Sequence, residues 1–231
     1  MKLVLLPGLD GTGLLFKPLI KAFTQSVETQ IISYPIDQKL NYQELYEYVS
    51  DRLPNEEYIL VGESFSGYIA YQVALRKPEN LKSIIFIASF LSSPRPILLS
   101  LLKYLPIKLL LSFQIPTFII KIFLLDSAAT KETIQLLKQT IQKLPADIIS
   151  FRLNEINRIP TKLDASLIPA VYIQAYKDRL VPKESLETIN LLFPNLSQEY
   201  IDAPHFCLQS NSIDCANIIQ KHLGRISKSH E

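Results

Sequence analysis

Short runs rich in β-branched and aromatic residues alternate with stretches of helical periodicity at both ends of this chain, and no other feature narrows its choice of fold as much. The runs are Lys2 to Leu6, Gln30 to Tyr34, Tyr58 to Val61, Ser83 to Ala88, Ala170 to Ala175 and Gln198 to Ile201. A strand that is followed by a helix and then another strand returns to the same end of the sheet, so its neighbours run parallel. The expectation is an α/β fold: a mostly parallel sheet of about six strands with helices on both faces. Between the second and third runs, Asn41 with Glu44 three residues on marks a capped helix start. Leu45, Val49 and Leu53 follow at helical spacing, and Pro54 ends the helix.

The alternation breaks after Ala88. Residues 91–165 are helix-forming, rich in Leu and Ile, and broken by Pro94, Pro96, Pro106, Pro116 and Pro145, which reads as an inserted helical cap. The core domain would then comprise 1–90 and 166–231. Within the insertion, a helix from Ser127 to Leu144 carries Ile134, Leu137, Ile141 and Leu144 on one apolar stripe, opposite Lys131, Lys138 and Lys143. A stripe of this kind packs against the sheet domain or lines a ligand pocket. Beyond Ala170 the spacing predicts helices over Lys183 to Leu192 and from Asn211 to Leu223, the latter stopped by Gly224.

A chain of 231 residues is long enough to bury roughly 70% of its unfolded surface in one large domain. Its 24 basic and 22 acidic residues leave a net charge of +2, too small and too mixed for the basic face that nucleic acids require. Only Leu3 to Leu6 are continuously apolar at the start, too few for a secretory signal. Cys207 and Cys215 alone make no disulfide framework, so a reducing cytoplasmic setting is expected. Charges and prolines between 97 and 125 leave no stretch that would span a bilayer.

The segment from Tyr58 to Lys77 is an apolar strand that turns through Gly62-Glu63-Ser64-Phe65-Ser66-Gly67 into a helical run. A serine on so tight a turn needs small residues two positions to either side, and Gly62 and Ser66 are both small. The segment resembles the nucleophile elbow of α/β-hydrolases, with Ser66 standing where the GxSxG pattern has its second glycine. A structural serine in a glycine-rich turn is the alternative. After the first strand, Pro7-Gly8-Leu9-Asp10-Gly11-Thr12-Gly13 also admits a phosphate-loop reading. Leu14 and Leu15, however, occupy the positions that need Lys and Ser or Thr.

Of three histidines, His222 and His230 read as solvated surface residues, whereas His205 follows the last strand in Ile201-Asp202-Ala203-Pro204-His205-Phe206. Asp178 follows the fifth strand in Tyr176-Lys177-Asp178-Arg179. Both loops fall at the sheet edge where α/β proteins place ligands. Asp202 is a second candidate acid, and Asp178 could instead be a turn residue paired to Arg179.

Together these segments resemble the α/β-hydrolase superfamily over nearly the whole chain. Leu3-Val4-Leu5-Leu6, Lys177-Asp178-Arg179-Leu180-Val181-Pro182 and the Lys138 to Leu144 helix are similar to small bacterial carboxylesterases, a group that includes the pimeloyl carrier-protein methyl ester carboxylesterases. The resemblance implies Ser64 as nucleophile, His205 as general base and Asp178 as the acid that orients it, with Leu9 and Phe65 backbone N–H groups as oxyanion donors. Pro7 stands where many relatives have histidine. The implied reaction is cleavage of a small-molecule ester or thioester with an apolar acyl group, without metal or cofactor. Acyl transfer and a non-catalytic ligand-binding homologue remain open. Phe113, Phe118 and Phe123 suggest an acyl chain of some length, and Lys138, Lys143, Arg152 and Arg158, if grouped, would suit an acidic acyl carrier protein.

Overall fold

Side chains of a strand point alternately to opposite faces, and in this chain both faces are apolar, which only a sheet covered on both sides can accommodate. The computed structural model describes residues 1–97, 99, 117–125 and 129–228. Its six strands are β1 (Lys2–Leu6), β2 (Thr29–Ile31), β3 (Tyr58–Glu63), β4 (Leu81–Ile87), β5 (Ala170–Ala175) and β6 (Leu196–Ile201). They form one sheet in the order β2-β1-β3-β4-β5-β6, and every pairing is parallel. Among the described residues the helices in chain order are α1 (Lys17–Ala22), α2 (Tyr42–Ser50), α3 (Gly67–Leu75), α4 (Thr117–Phe123), α5 (Lys131–Gln142), α6 (Ala146–Ile156), α7 (Ser185–Leu192), α8 (Cys207–Ser210) and α9 (Ser212–Lys228).

One face of the sheet presents Val4, Leu60, Phe86 and Tyr172 to α2, α3 and α7, where Leu45, Ile69 and Ile189 are buried against them. The other presents Leu5, Val61, Ile85 and Ile173 to α1, α8 and α9, where Leu19, Leu208 and Ile219 meet them. Each such buried aliphatic side chain contributes roughly 1.5–3 kcal/mol of transfer free energy. The edges are different: β2 is three residues long, and β6 exposes Ser197, Gln198 and Tyr200. Short or polar edges discourage strand addition from another chain.

The local signals translate directly in α2. Asn41 Oδ1 accepts from the Glu44 amide at 3.0 Å, and the Glu44 carboxylate accepts from the Asn41 amide at 2.7 Å, completing the capping box. Gly224 does not end the last helix, which continues to Lys228, because Ile226 still packs on the core. The expected helix from Ser127 to Leu144 is seen from Lys131, capped by the Thr130 hydroxyl; 127 and 128 lie outside the described residues. It ends at Gln142 rather than Leu144, and Pro145 opens α6, a second helix that periodicity alone did not separate. Residues 98 and 100–116 of the proline-broken stretch, including Lys103, Pro106, Lys108, Phe113 and Pro116, also lie outside the described residues.

Candidate active site

The chain leaves β3 at Glu63, turns through a single 3₁₀ turn, Ser64–Ser66, and enters α3 at Gly67. Ser64 has φ 49°, a left-handed conformation that costs a non-glycine residue of order 1 kcal/mol or more. A Cβ at Gly62 would lie 2.9 Å from the Ser66 carbonyl oxygen and 3.1 Å from the Ala70 Cβ, so the turn has no room for a larger residue there. Tyr42 braces the turn from α2, with its ring stacked on Phe65 at 4.7 Å and its hydroxyl donating to the Phe65 carbonyl at 3.3 Å.

Because all strands are parallel, their carboxyl ends share one rim, and the loops after β3, β5 and β6 meet there. His205 Nε2 lies 3.1 Å from Ser64 Oγ, and its Nδ1 lies 2.8 Å from Asp178 Oδ2. The other Asp178 oxygen accepts from the Leu180 and Val181 amides at 2.8 and 2.9 Å, which fixes the carboxylate with 1% of its side chain exposed. Asp178 thus partners two amides and His205, while Asp202 turns outward to Lys177 at 2.9 Å. With Nδ1–H donating to Asp178, Nε2 is left as acceptor for the Ser64 proton. Burial disfavours the imidazolium, but the charge and hydrogen bond of Asp178, with a further contribution from Glu63, outweigh it and raise the His205 pKa above 6.5. His222 is not a free surface residue: it is half-buried, with Nε2 2.8 Å from Ser83 Oγ. His230 lies outside the described residues.

The loop after β1 lies across from the turn, and Leu9 and Phe65 border the same cavity as Ser64 and His205. The Ser66 hydroxyl donates to the Pro7 carbonyl and accepts from the Tyr34 hydroxyl. From α6, Arg152 reaches across to donate to the carbonyls of Leu9 at 2.9 Å, Asp10 at 2.8 Å and Pro35 at 2.9 Å. Gly11, at φ +70°, leaves the space that the guanidinium fills. Arg152 is 2% exposed, which removes it from any basic docking surface, and Arg158 pairs with Glu155 at 2.5 Å.

A cavity of about 330 Å³ opens above Ser64. Its walls are apolar: Leu137 and Ile141 of α5, Leu144, and Ile149, Leu153 and Ile156 of α6 all face it. Three of the four stripe residues therefore line the pocket, while Ile134 packs into a small core with Leu15, Ile120 and Leu125. Phe118 points to solvent instead, and the side chain of Phe123 lies outside the described residues.

Sequence reading passed over Glu63, whose carboxylate borders the cavity and accepts from Gln209 Nε2 at 3.1 Å. Burial, and then the nearby Asp10 charge, push its pKa up to about 7. A lone acid at the end of an otherwise apolar strand was the available signal. Cys207 and Cys215 are buried and free. Among the described residues there is no cluster of His, Cys, Asp and Glu suited to a metal, and no helix long and apolar enough to cross a membrane.

A family model for the alpha/beta hydrolase fold matches residues 33–210, and the chain belongs to that family. Among curated proteins it is 26% identical, over 98% of its own length, to phytyl ester synthase 1, chloroplastic, of Arabidopsis thaliana; it spans 37% of that protein's length. Among solved structures it is similar to a hydrolase from Oleispira antarctica, at 17% identity and TM-score 0.75, covering 98% of this chain and 91% of that one. An esterase from Exiguobacterium antarcticum gives 12% identity and TM-score 0.75, covering 97% and 92%. At such identities the likeness concerns the fold.

Proposed function

We propose that this protein is a serine hydrolase that cleaves carboxylic ester or thioester bonds of apolar acyl substrates. The observation that carries this reading is the hydrogen-bonded series Ser64, His205 and Asp178 at the floor of an apolar cavity. Ser64 Oγ attacks the carbonyl carbon while His205 Nε2 takes its proton, and the negative charge that develops on the carbonyl oxygen falls to the Leu9 and Phe65 amides. The tetrahedral intermediate collapses, and the departing alcohol or thiol receives the proton from His205. Water then attacks the acyl-serine, again giving a proton to His205; the acid leaves and Ser64 regains its hydrogen. Asp178 holds the tautomer and stabilises the transient imidazolium. The helices of residues 91–165 serve as a cap over the acyl chain.

Similarity to a phytyl ester synthase favours a second outcome for the same acyl-serine, in which a hydrophobic alcohol replaces water. The test is labelling with a fluorophosphonate followed by an ester and thioester panel of graded chain length. The panel includes a carrier-bound pimeloyl methyl ester and is run with and without a long-chain alcohol. Labelling lost in Ser64→Ala, with free acid as product, supports the hydrolase; new ester formed with the alcohol supports transfer. Undiminished labelling of Ser64→Ala would refute both.

A further inference from the structure

Two positions at which this chain departs from the usual pattern of its family touch each other. Ser66 occupies the place of the second elbow glycine, and Pro7 occupies the loop position that is often histidine. Pro7 lies just beyond the last paired residues of β1 and β3, Leu6 and Gly62, so its buried carbonyl falls outside the sheet ladder. A buried carbonyl needs a donor, and a glycine at 66 has no side chain to offer one. The Ser66 hydroxyl supplies it and is 0% exposed. A hydroxyl has one proton; with that proton committed to Pro7, Tyr34 must donate to Ser66 rather than accept from it. Burial raises the Tyr34 phenol far above its ordinary pKa, so the donor persists across the working pH range. Tyr34 also lies beneath the Arg152 guanidinium, 5.7 Å from its ring centre, and Arg152 holds the Leu9 and Asp10 carbonyls of the same loop.

We propose that Ser66, oriented by Tyr34, is a positioning residue that fixes the loop carrying the Leu9 amide against the turn carrying the Phe65 amide. The two departures compensate: the loop loses the side chain usual at position 7 and is instead tied through its backbone to the elbow. The inference rests on the serine-hydrolase reading. It predicts that the tie acts where charge develops on the carbonyl oxygen and not on acyl-chain binding, because Ser66 and Tyr34 are buried behind the loop and do not border the cavity.

The experiment compares parent, Ser66→Gly, Ser66→Ala and Tyr34→Phe on a nitrophenyl octanoate. It also measures affinity for two probes, octylboronic acid, which forms a tetrahedral adduct on a serine nucleophile, and decanoic acid, which only fills the acyl pocket. The Ser66 variants should lose about 10- to 100-fold in kcat, with KM and decanoate affinity within about threefold, and boronate affinity should fall in step with kcat/KM. Tyr34→Phe should show the same split with a smaller loss. A kcat within about twofold of the parent, or equal weakening of both probes, would overturn the assignment. If the Ser66 variants do not fold, Tyr34→Phe, which keeps the serine, decides by the same split. A parent inert to esters and to fluorophosphonate would sink the hydrolase reading, and the tie is then read by amide hydrogen exchange at residues 8–11. Faster exchange in Ser66→Ala at matched global stability upholds it, and unchanged exchange rejects it.

Discussion

The sheet region and the helices between β4 and β5 are both apolar, yet they contribute different things to the site. The sheet region delivers Ser64, Asp178 and His205 from three strand ends at one rim, each held by hydrogen bonds or a crowded turn. The intervening helices deliver Leu137, Ile141, Leu153 and Ile156, which offer shape but no reactive atom. On this reading, the first region decides whether a bond breaks and the second decides which acyl group is admitted. Arg152 is the exception, a side chain of α6 committed to the backbone of the loop after β1.

The sharpest way to break this division is to remove the reacting groups. Ser64→Ala should abolish covalent labelling and turnover, and Asp178→Asn should reduce kcat by roughly 10⁴-fold while leaving the structure intact. An Asp178→Asn loss under tenfold would shift the orienting role to another acid. Next in size, Leu153→Ala combined with Ile141→Ala should lower kcat/KM for a long-chain ester by about 10-fold or more. Activity on an acetyl ester should change little. Equal losses on both would mean that the helices also shape the reacting centre. Within the sheet region, Gly62→Ala should destabilise the fold by about 1–3 kcal/mol, because the new methyl meets the Ser66 carbonyl and Ala70. Chemical denaturation would measure it.

The smallest effects concern pH. His205 must be neutral to take a proton, and its pKa is raised, so activity should fall as pH drops through a value above 6.5. Glu63 adds to that rise, so Glu63→Gln should move the acid limb to lower pH. Folding raises Glu63 from 4.5 to about 7, so its stabilising contribution is complete below pH 4.5 and fades as pH rises through 7. The gain in melting temperature of Glu63→Gln over the parent should therefore be larger at pH 8 than at pH 5. The reverse order would show that the carboxyl is not desolvated as its burial implies.

Much of this was legible in the residues because the signals were local. Apolar runs marked all six strands, although β2 is shorter than Gln30 to Tyr34 suggested, since Ile32 and Tyr34 pack as loop residues beyond it. The elbow announced Ser64 through steric demand, and strand ends pointed to Asp178 and His205. What escaped were relations between distant side chains. No periodicity places Arg152 on the carbonyls of residues 9, 10 and 35 rather than in solvent, and nothing in Ser66 alone indicates that its partner is Pro7. Gly224 misled because a stop signal is only a propensity, and core contacts beyond it keep the helix going.

Uniform strand direction also leaves the molecule with a quiet end. Opposite the reactive rim, Lys2 faces Glu28 at 3.2 Å and Lys82 faces Glu57 at 2.9 Å, in solvated pairs that water and salt screen. That end is where a dye, a bead or a tether belongs: the protein can be anchored there with its mouth toward the solution.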